Sequence, residues 1–152
     1  MSDTSQIVES VKSIFLDQIP FNKLLGMKIE SLDFDSSRVR IDMREELVGN
    51  FIHGMLHGGV ISSVLDVTGG LAAFMSLLKR MGHISNEERV ARLSKFGTLD
   101  MRVDFLNPGR GKFFIATATV LRTGNKVAVT RMELHNDENL LIAVGTATYM
   151  VV

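Results

Sequence analysis

One aspartate sits in a stretch that is otherwise oily. Asp66 is surrounded in sequence by Val60, Ile61, Val64, Leu65, Val67 and Leu71, and an aspartate is both a poor helix former and an expensive residue to place in a core. It needs a partner or a function. As a function, a carboxylate in a water-poor slot is a general base towards water, or a direct nucleophile that gives a mixed anhydride with an acyl group. Residue types alone do not separate the two routes. The structural alternative is an acid that caps a neighbouring loop or pairs with an arginine.

Eight residues upstream stands the pair Gly58-Gly59, preceded by His57. Adjacent glycines at the opening of a helix let a ligand approach bare backbone, and the first-turn N–H groups there have no partner within the helix. Aided by the positive end of the helix dipole, such donors favour negative charge developing on a carbonyl oxygen under attack. Gly58 is the principal candidate donor, with Gly59 beside it; a plain tight entry from loop to helix is the alternative. His57 orients the Gly58 peptide, braces the loop or acts as a general acid. His53 and His57 are four apart, but the intervening Gly54 and the missing third ligand argue against a metal. Ser62, Asp66, Gly69, Ala73 and Ser76 follow three- and four-residue steps, which predicts a face of small side chains with a single acid, suited to the floor of a narrow slot.

The elements that must hold these groups read as follows. Ile7, Val8, Val11, Ile14, Phe15 and Ile19 have helical spacing, so residues 1–19 form an amphipathic helix stopped by Pro20. A helical turn at 21–25 precedes Gly26, and strands at 27–34 and 39–43 flank an Asp35-Ser36-Ser37 turn. Residues 58–81 are apolar on most sides and, as a helix, would run about 36 Å, so a sheet must wrap them. Residues 83–97 are polar, with Ser85 and Glu88 spaced as a capping box, and are expected as a surface insertion outside the core. Strands follow at 98–106, 113–122, 126–136 and 140–151, separated by the turn formers Asn107-Pro108-Gly109, Gly124-Asn125 and Asp137-Glu138-Asn139. The order gives an α+β class: one long central helix laid along a curved antiparallel sheet of five to six strands, in a single domain spanning 1–152.

The bulk properties narrow the function. The 152 residues carry 17 basic and 17 acidic side chains, so no net field recruits nucleic acid or an anionic membrane. There is no cysteine, which excludes disulfides, thiolate nucleophiles and Cys-ligated zinc. The polar start, Met1 to Gln6, lacks the order of a secretory signal, so a cytoplasmic location is expected. Val60 to Leu78 has the length of a membrane span, but Asp66 and two serines near its middle favour a core helix.

Three runs together resemble a known family. His57-Gly58-Gly59-Val60 with the following Asp66, the run Thr98-Leu99-Asp100-Met101-Arg102-Val103-Asp104-Phe105-Leu106-Asn107-Pro108, and the closing Ala143-Val144-Gly145-Thr146-Ala147-Thr148-Tyr149 are similar to the hotdog-fold acyl-CoA thioesterases of the PaaI-like group, and within it the YigI-like branch. The likeness covers about residues 20 to 150. It implies a helix wrapped by a sheet, a homodimer with sheets joined edge to edge, commonly a homotetramer, and no cofactor. Carried over by position, Gly58 of one subunit polarises the thioester carbonyl, Asp66 of the other activates water, and Thr98 assists that water. Members often place an Asn or His ahead of the glycine pair, for which Asn50 and His53 are the nearest candidates. Substrate contacts are expected from Asn50, His53, Gly59, Ser62 and Gly69, and the substrate is a medium- to long-chain fatty or aryl acyl-CoA. The competing readings are a non-catalytic acyl-CoA-binding module and an enoyl-CoA hydratase on the same fold.

Overall fold

The computed structural model describes residues 3–152; Met1 and Ser2, where the first helix was expected to begin, lie outside the described residues. Helix α1 (Asp3–Ser13) buries Ile7 and Val11 and widens into a π-helical turn at Ile14–Gln18. The widening has a visible companion in Asn22, whose buried amide donates to the Phe15 carbonyl at 2.9 Å. Pro20 opens α2 (Pro20–Leu25) at its first position, where its fixed φ suits a helix start, and Gly26 closes it in the left-handed region (φ 67°).

Eight strands follow the pattern of alternation. They are β1 (Lys28–Leu32), β2 (Ser36–Asp42), a two-strand hairpin of β3 (Val48–Asn50) and β4 (Met55–Leu56), then β5 (Gly97–Phe105), β6 (Phe113–Thr123), β7 (Val127–Asn136) and β8 (Leu141–Met150). The main sheet is antiparallel in the order β1-β2-β6-β7-β8-β5. The β3–β4 hairpin was not foreseen, and β2 starts at Ser36 rather than Val39. Ser36 and Ser37 were expected in a turn, but they pair with Thr119 and Ala118 of β6, and the Ser37 hydroxyl donates to the Thr68 carbonyl at 2.6 Å.

Helix α3 (Gly58–Met81) lies across this sheet and buries Val64, Leu65, Leu71, Phe74, Met75 and Leu78 against it. By length and composition α3 could cross a membrane, yet its apolar surface is mostly covered by the rest of the chain. The facing strand positions alternate as a one-sided sheet requires: Phe114, Ala116 and Ala118 on β6, Met132 and Leu134 on β7, Ala147 and Tyr149 on β8 are all buried. The layers are those of a hotdog fold, one long helix wrapped by a curved sheet of six strands.

Residues 83–97 are not the free excursion expected from their polarity. Ser85 accepts from the Glu88 N–H at 3.1 Å while Glu88 accepts from the Ser85 N–H at 2.7 Å, completing the capping box of α4 (Asn86–Leu93). The apolar residues of the segment, Ile84, Leu93 and Phe96, pack on the core, and Phe96 stacks on Tyr149 with ring centroids 5.5 Å apart.

Candidate active site

Asp66 is half-buried on α3, and its Oδ1 accepts a hydrogen bond from the Thr98 hydroxyl at 2.8 Å. Thr98 reaches it through an irregularity in β5. Thr98 pairs with Tyr149 and Asp100 with Thr148, so Leu99 is an extra residue bulged out of the ladder. Met101, Val103 and Phe105 pair with the inward positions Ala147, Gly145 and Ala143; strict alternation from them would turn Thr98 away from α3. The bulge reverses the parity and points Thr98 at the carboxylate, a re-aiming that bulges characteristically perform.

Beside this pair opens a pocket of about 220 Å³ with Asp66, Val67, Gly70, Thr98 and Tyr149 on one side and Phe15, Ile19, Phe21, Asn22 and Phe96 on the other. A second, predominantly apolar hollow of about 510 Å³ lies at the start of α3, between Leu24, Leu25, Leu47, Val60 and the His57–Gly59 turn. Phe21 borders both. A roomier polar groove of about 670 Å³ between α1 and residues 84–89 is remote from Asp66 and lined by Asp3, Glu9, Glu87 and Arg89; it brings no reactive group near the carboxylate.

At the N-terminus of α3 the backbone donors can be accounted for one by one. Val60 and Ile61 N–H groups both donate to the His57 carbonyl, at 3.0 and 3.1 Å. The Gly59 N–H donates to His57 Nδ1 at 2.7 Å, so His57 is the N-cap. A side chain on Gly59 would place its Cβ 2.9 Å from that nitrogen. Among the described residues, Gly58 is the one first-turn position whose N–H has no such partner; its α-carbon faces the Phe105 ring. Gly59, expected as a substrate contact, has its N–H taken up by the His57 side chain.

The other expected contacts separate from Asp66. Asn50 ends β3, where its side chain accepts from the Ile52 N–H at 3.2 Å and shapes the hairpin turn; His53 is exposed in that same turn. His53 is therefore off any helix and does not pair with His57 as a metal-binding i, i+4 couple. The small-residue face is rotated by one position. Ser63, not Ser62, lines the larger hollow, and Gly70, not Gly69, lines the pocket of Asp66. Gly69, Ala73 and Ser76 turn into the protein. Rows at 59, 63, 66 and 70 and at 62, 66, 69 and 73 both satisfy helical spacing, and only the packing of α3 chooses between them.

Comparison with known proteins supplies the family. The model of the thioesterase superfamily matches residues 53–143. A medium/long-chain acyl-CoA thioesterase, YigI, of Escherichia coli strain K12 is 49% identical over 146 residues, covering 96% of this chain and 94% of its own length. This chain belongs to the thioesterase superfamily. The crystal structure of a Shewanella oneidensis protein related to that superfamily superposes with a TM-score of 0.92 at 47% identity, over 98% of this chain and 97% of the other. The E. coli PaaI protein of the phenylacetic acid degradation operon shares the fold, with a TM-score of 0.78 at 20% identity over 99% and 96% of the two chains.

For a member of the thioesterase superfamily, the residues beside Asp66 that the sequence did not single out are as telling as those it did. Phe15, Phe21, Asn22 and Phe96 wall the pocket from the N-terminal helices and the 83–97 segment, elements without a reactive residue to draw notice. Tyr149 is 1% exposed, and its hydroxyl donates to the main-chain carbonyl of Asp66 at 2.7 Å. Burial, and after it the neighbouring Asp66 charge, push the Tyr149 phenol well above the ordinary range, so it stays a neutral donor. The signal available beforehand was its place as the sole tyrosine, at an inward position of the last strand.

Proposed function

We propose that the protein hydrolyses medium- to long-chain acyl-CoA thioesters, working as a homodimer whose sites are each built from two chains. The observation that carries this reading is a separation. Gly58 and Asp66 lie eight residues apart on one helix, about 12 Å along its axis at ~1.5 Å per residue. An attacking water and the carbonyl it attacks must be within about 3–3.5 Å, so the donor and the base of one chain cannot serve one thioester.

A second copy resolves the mismatch. Strand β5 is a nine-residue edge that, among the described residues, pairs only with β8, with Leu99 55% and Phe105 56% exposed; an unprotected edge of this kind templates strand pairing. Its two ends face the two halves of the site, Thr98 at Asp66 and Phe105 at Gly58. Antiparallel pairing of β5 with its own copy about a two-fold axis lays the Thr98 end of one chain beside the Phe105 end of the other. Gly58 of each copy then approaches Asp66 of its neighbour. A further pairing of dimers into a tetramer follows the family resemblance.

In this arrangement the Gly58 N–H receives the developing oxyanion, while Asp66, oriented by Thr98, takes a proton from water as it attacks, or attacks the carbonyl itself. On the general-base route the tetrahedral intermediate collapses with cleavage of the carbon–sulfur bond, and the proton that Asp66 took from water passes to the CoA thiolate. On the nucleophilic route collapse leaves an Asp66–acyl anhydride and CoA thiolate. Water then cleaves the anhydride, releasing the free acid and the proton that the thiolate takes up. Phe15, Ile19, Phe21 and Phe96 offer an apolar surround for the acyl chain, and the hollow beyond Phe21 offers room for its continuation. The name of the E. coli relative supports the substrate class, and a cytoplasmic setting goes with a CoA thioester.

Complementation tests the proposal. Asp66→Asn and Gly58→Pro homodimers should each lose at least ~10²-fold in acyl-CoA hydrolysis, the scale of a lost oxyanion donor or base. Co-refolding the two should restore about one quarter of the wild-type rate, because half the dimers are mixed and each has one intact site. No recovery on mixing, with both parents inactive and folded, would rule out the shared site.

A further inference from the structure

We propose that Tyr149 is a positioning residue for Asp66, and that Gly69 is glycine so that the Tyr149 hydroxyl can reach the helix backbone. The inference rests on the reading of Asp66 as the group that activates water or attacks the thioester. Its geometry is a two-point hold. Thr98 and Tyr149 are directly paired across β5 and β8, and both reach the same residue of α3. Thr98 holds the carboxylate at Oδ1 with a 2.8 Å hydrogen bond, and Tyr149 holds the main-chain carbonyl with one of 2.7 Å. A single cross-strand pair therefore fixes Asp66 at its side chain and at its backbone.

Gly69 makes the second point of contact possible. A Cβ there would lie 2.5 Å from the Tyr149 hydroxyl, 2.7 Å from Thr130 Oγ1 and 2.9 Å from Met132 Sδ. Even an alanine would displace the hydroxyl from the helix. The tyrosine ring has little freedom to compensate, since it stacks on Phe96 at an interplanar angle of 14°, and Phe96 in turn packs edge-on against Phe74 at 5.4 Å. The hydroxyl does not need to touch substrate. It sets where residue 66 of the helix sits relative to the pocket wall, and a misplacement of about 1 Å in such a group is worth as much as 10²-fold in rate.

A double-mutant cycle reads this directly. Tyr149→Phe keeps the ring and its stacking and removes the hydroxyl. It should lower kcat roughly 10-fold with KM within about twofold, because the group acts on orientation and not on binding. The same substitution in an Asp66→Asn background should leave the residual rate unchanged, since nothing remains to be positioned. Gly69→Ala should follow Tyr149→Phe in direction and show the same dependence on Asp66. Equal losses in both backgrounds, or a kcat loss that merely tracks a lowered Tm, would overturn the positioning role, as would a Tyr149→Phe enzyme of wild-type kcat beside an inactive Asp66→Asn. An Asp66→Asn enzyme that turns over normally would instead bring down the reading of Asp66, and this inference with it.

Discussion

The two ends of the first three turns of α3 are built on opposite plans. Around Asp66 the chain supplies its own supports: Thr98 on the carboxylate, Tyr149 on the carbonyl, and a pocket walled by four rings from three other segments. Around Gly58 it has satisfied the second, third and fourth amides and left the first without a partner among the described residues, beside exposed Phe105 and a hairpin whose tip residues Phe51 and Ile52 are 86% and 75% exposed. The Asp66 end is bounded by its own chain and the Gly58 end is offered outward, the division on which the proposed shared site rests. Strand β5 joins the halves, since its inward residues touch both. A fold that needed both groups at one carbonyl within a single chain would not have spaced them about 12 Å apart on a rigid rod.

The largest effect that sharpens this contrast comes from removing the free amide without disturbing the helix. Proline is well suited to the first helical position, and His57 before it already has the extended backbone (φ −62°, ψ 135°) that a following proline requires. Gly58→Pro should therefore fold normally and lose about 10²–10³-fold in kcat, the measured worth of one oxyanion donor. Gly58→Ala keeps the N–H, and its Cβ would meet the Phe105 ring at 3.4 Å, ordinary contact; its activity should stay within a few-fold of wild type. Steady-state hydrolysis of one acyl-CoA by both variants settles the matter. Equal losses would mean that space, and not the amide, is what the position provides.

A smaller loss is expected on the Asp66 side. Thr98→Val preserves shape and β propensity but leaves Asp66 Oδ1 without its hydroxyl donor, and kcat should fall by about 10-fold, in line with a hydrogen bond to a charged group worth about 1.5–3 kcal/mol of which part survives through water. Thr98→Ser should recover most of it. Unchanged kcat in the valine variant would show that the carboxylate is held by its backbone alone.

How far the sequence disclosed these two ends follows the same division. The candidates Asp66 and Gly58 stood out because each broke a local rule: an aspartate inside an oily helix, a glycine pair at its start. The strand boundaries of β5 to β8 were legible from alternation and turn chemistry to within a residue or so. What could not be read depended on distant packing. Alternation along β5 points Thr98 the wrong way until the Leu99 bulge is known. Which row of α3 lines the hollows could not be chosen, because Ser63 and Gly70, which line them, and Ser62 and Gly69 satisfy the same spacing. Tyr149 meets Asp66 from 83 residues away, and only the placing of β8 beside β5 brings them together.

The subtlest way to probe the contrast uses the burial of Tyr149 behind Asp66 and leaves activity aside. Tyr149 is buried, neutral and raised in pKa by desolvation and then by the Asp66 charge, from an ordinary value of 10.0. The folded state therefore keeps its proton at a pH where the unfolded chain has lost it. Stability from this source is complete below pH 10 and declines above it, by about 1.4 kcal/mol per pH unit for one group. Urea unfolding between pH 9 and 11 should show this slope in the wild type and lack it in Tyr149→Phe. Because the chain has one tyrosine and no tryptophan, tyrosinate absorbance reports this site alone and should appear only as the protein unfolds. A tyrosine that ionises near pH 10 in the folded protein would mean that water reaches the hydroxyl, and its hold on the Asp66 carbonyl would then not be the sheltered contact that distinguishes this end of the helix.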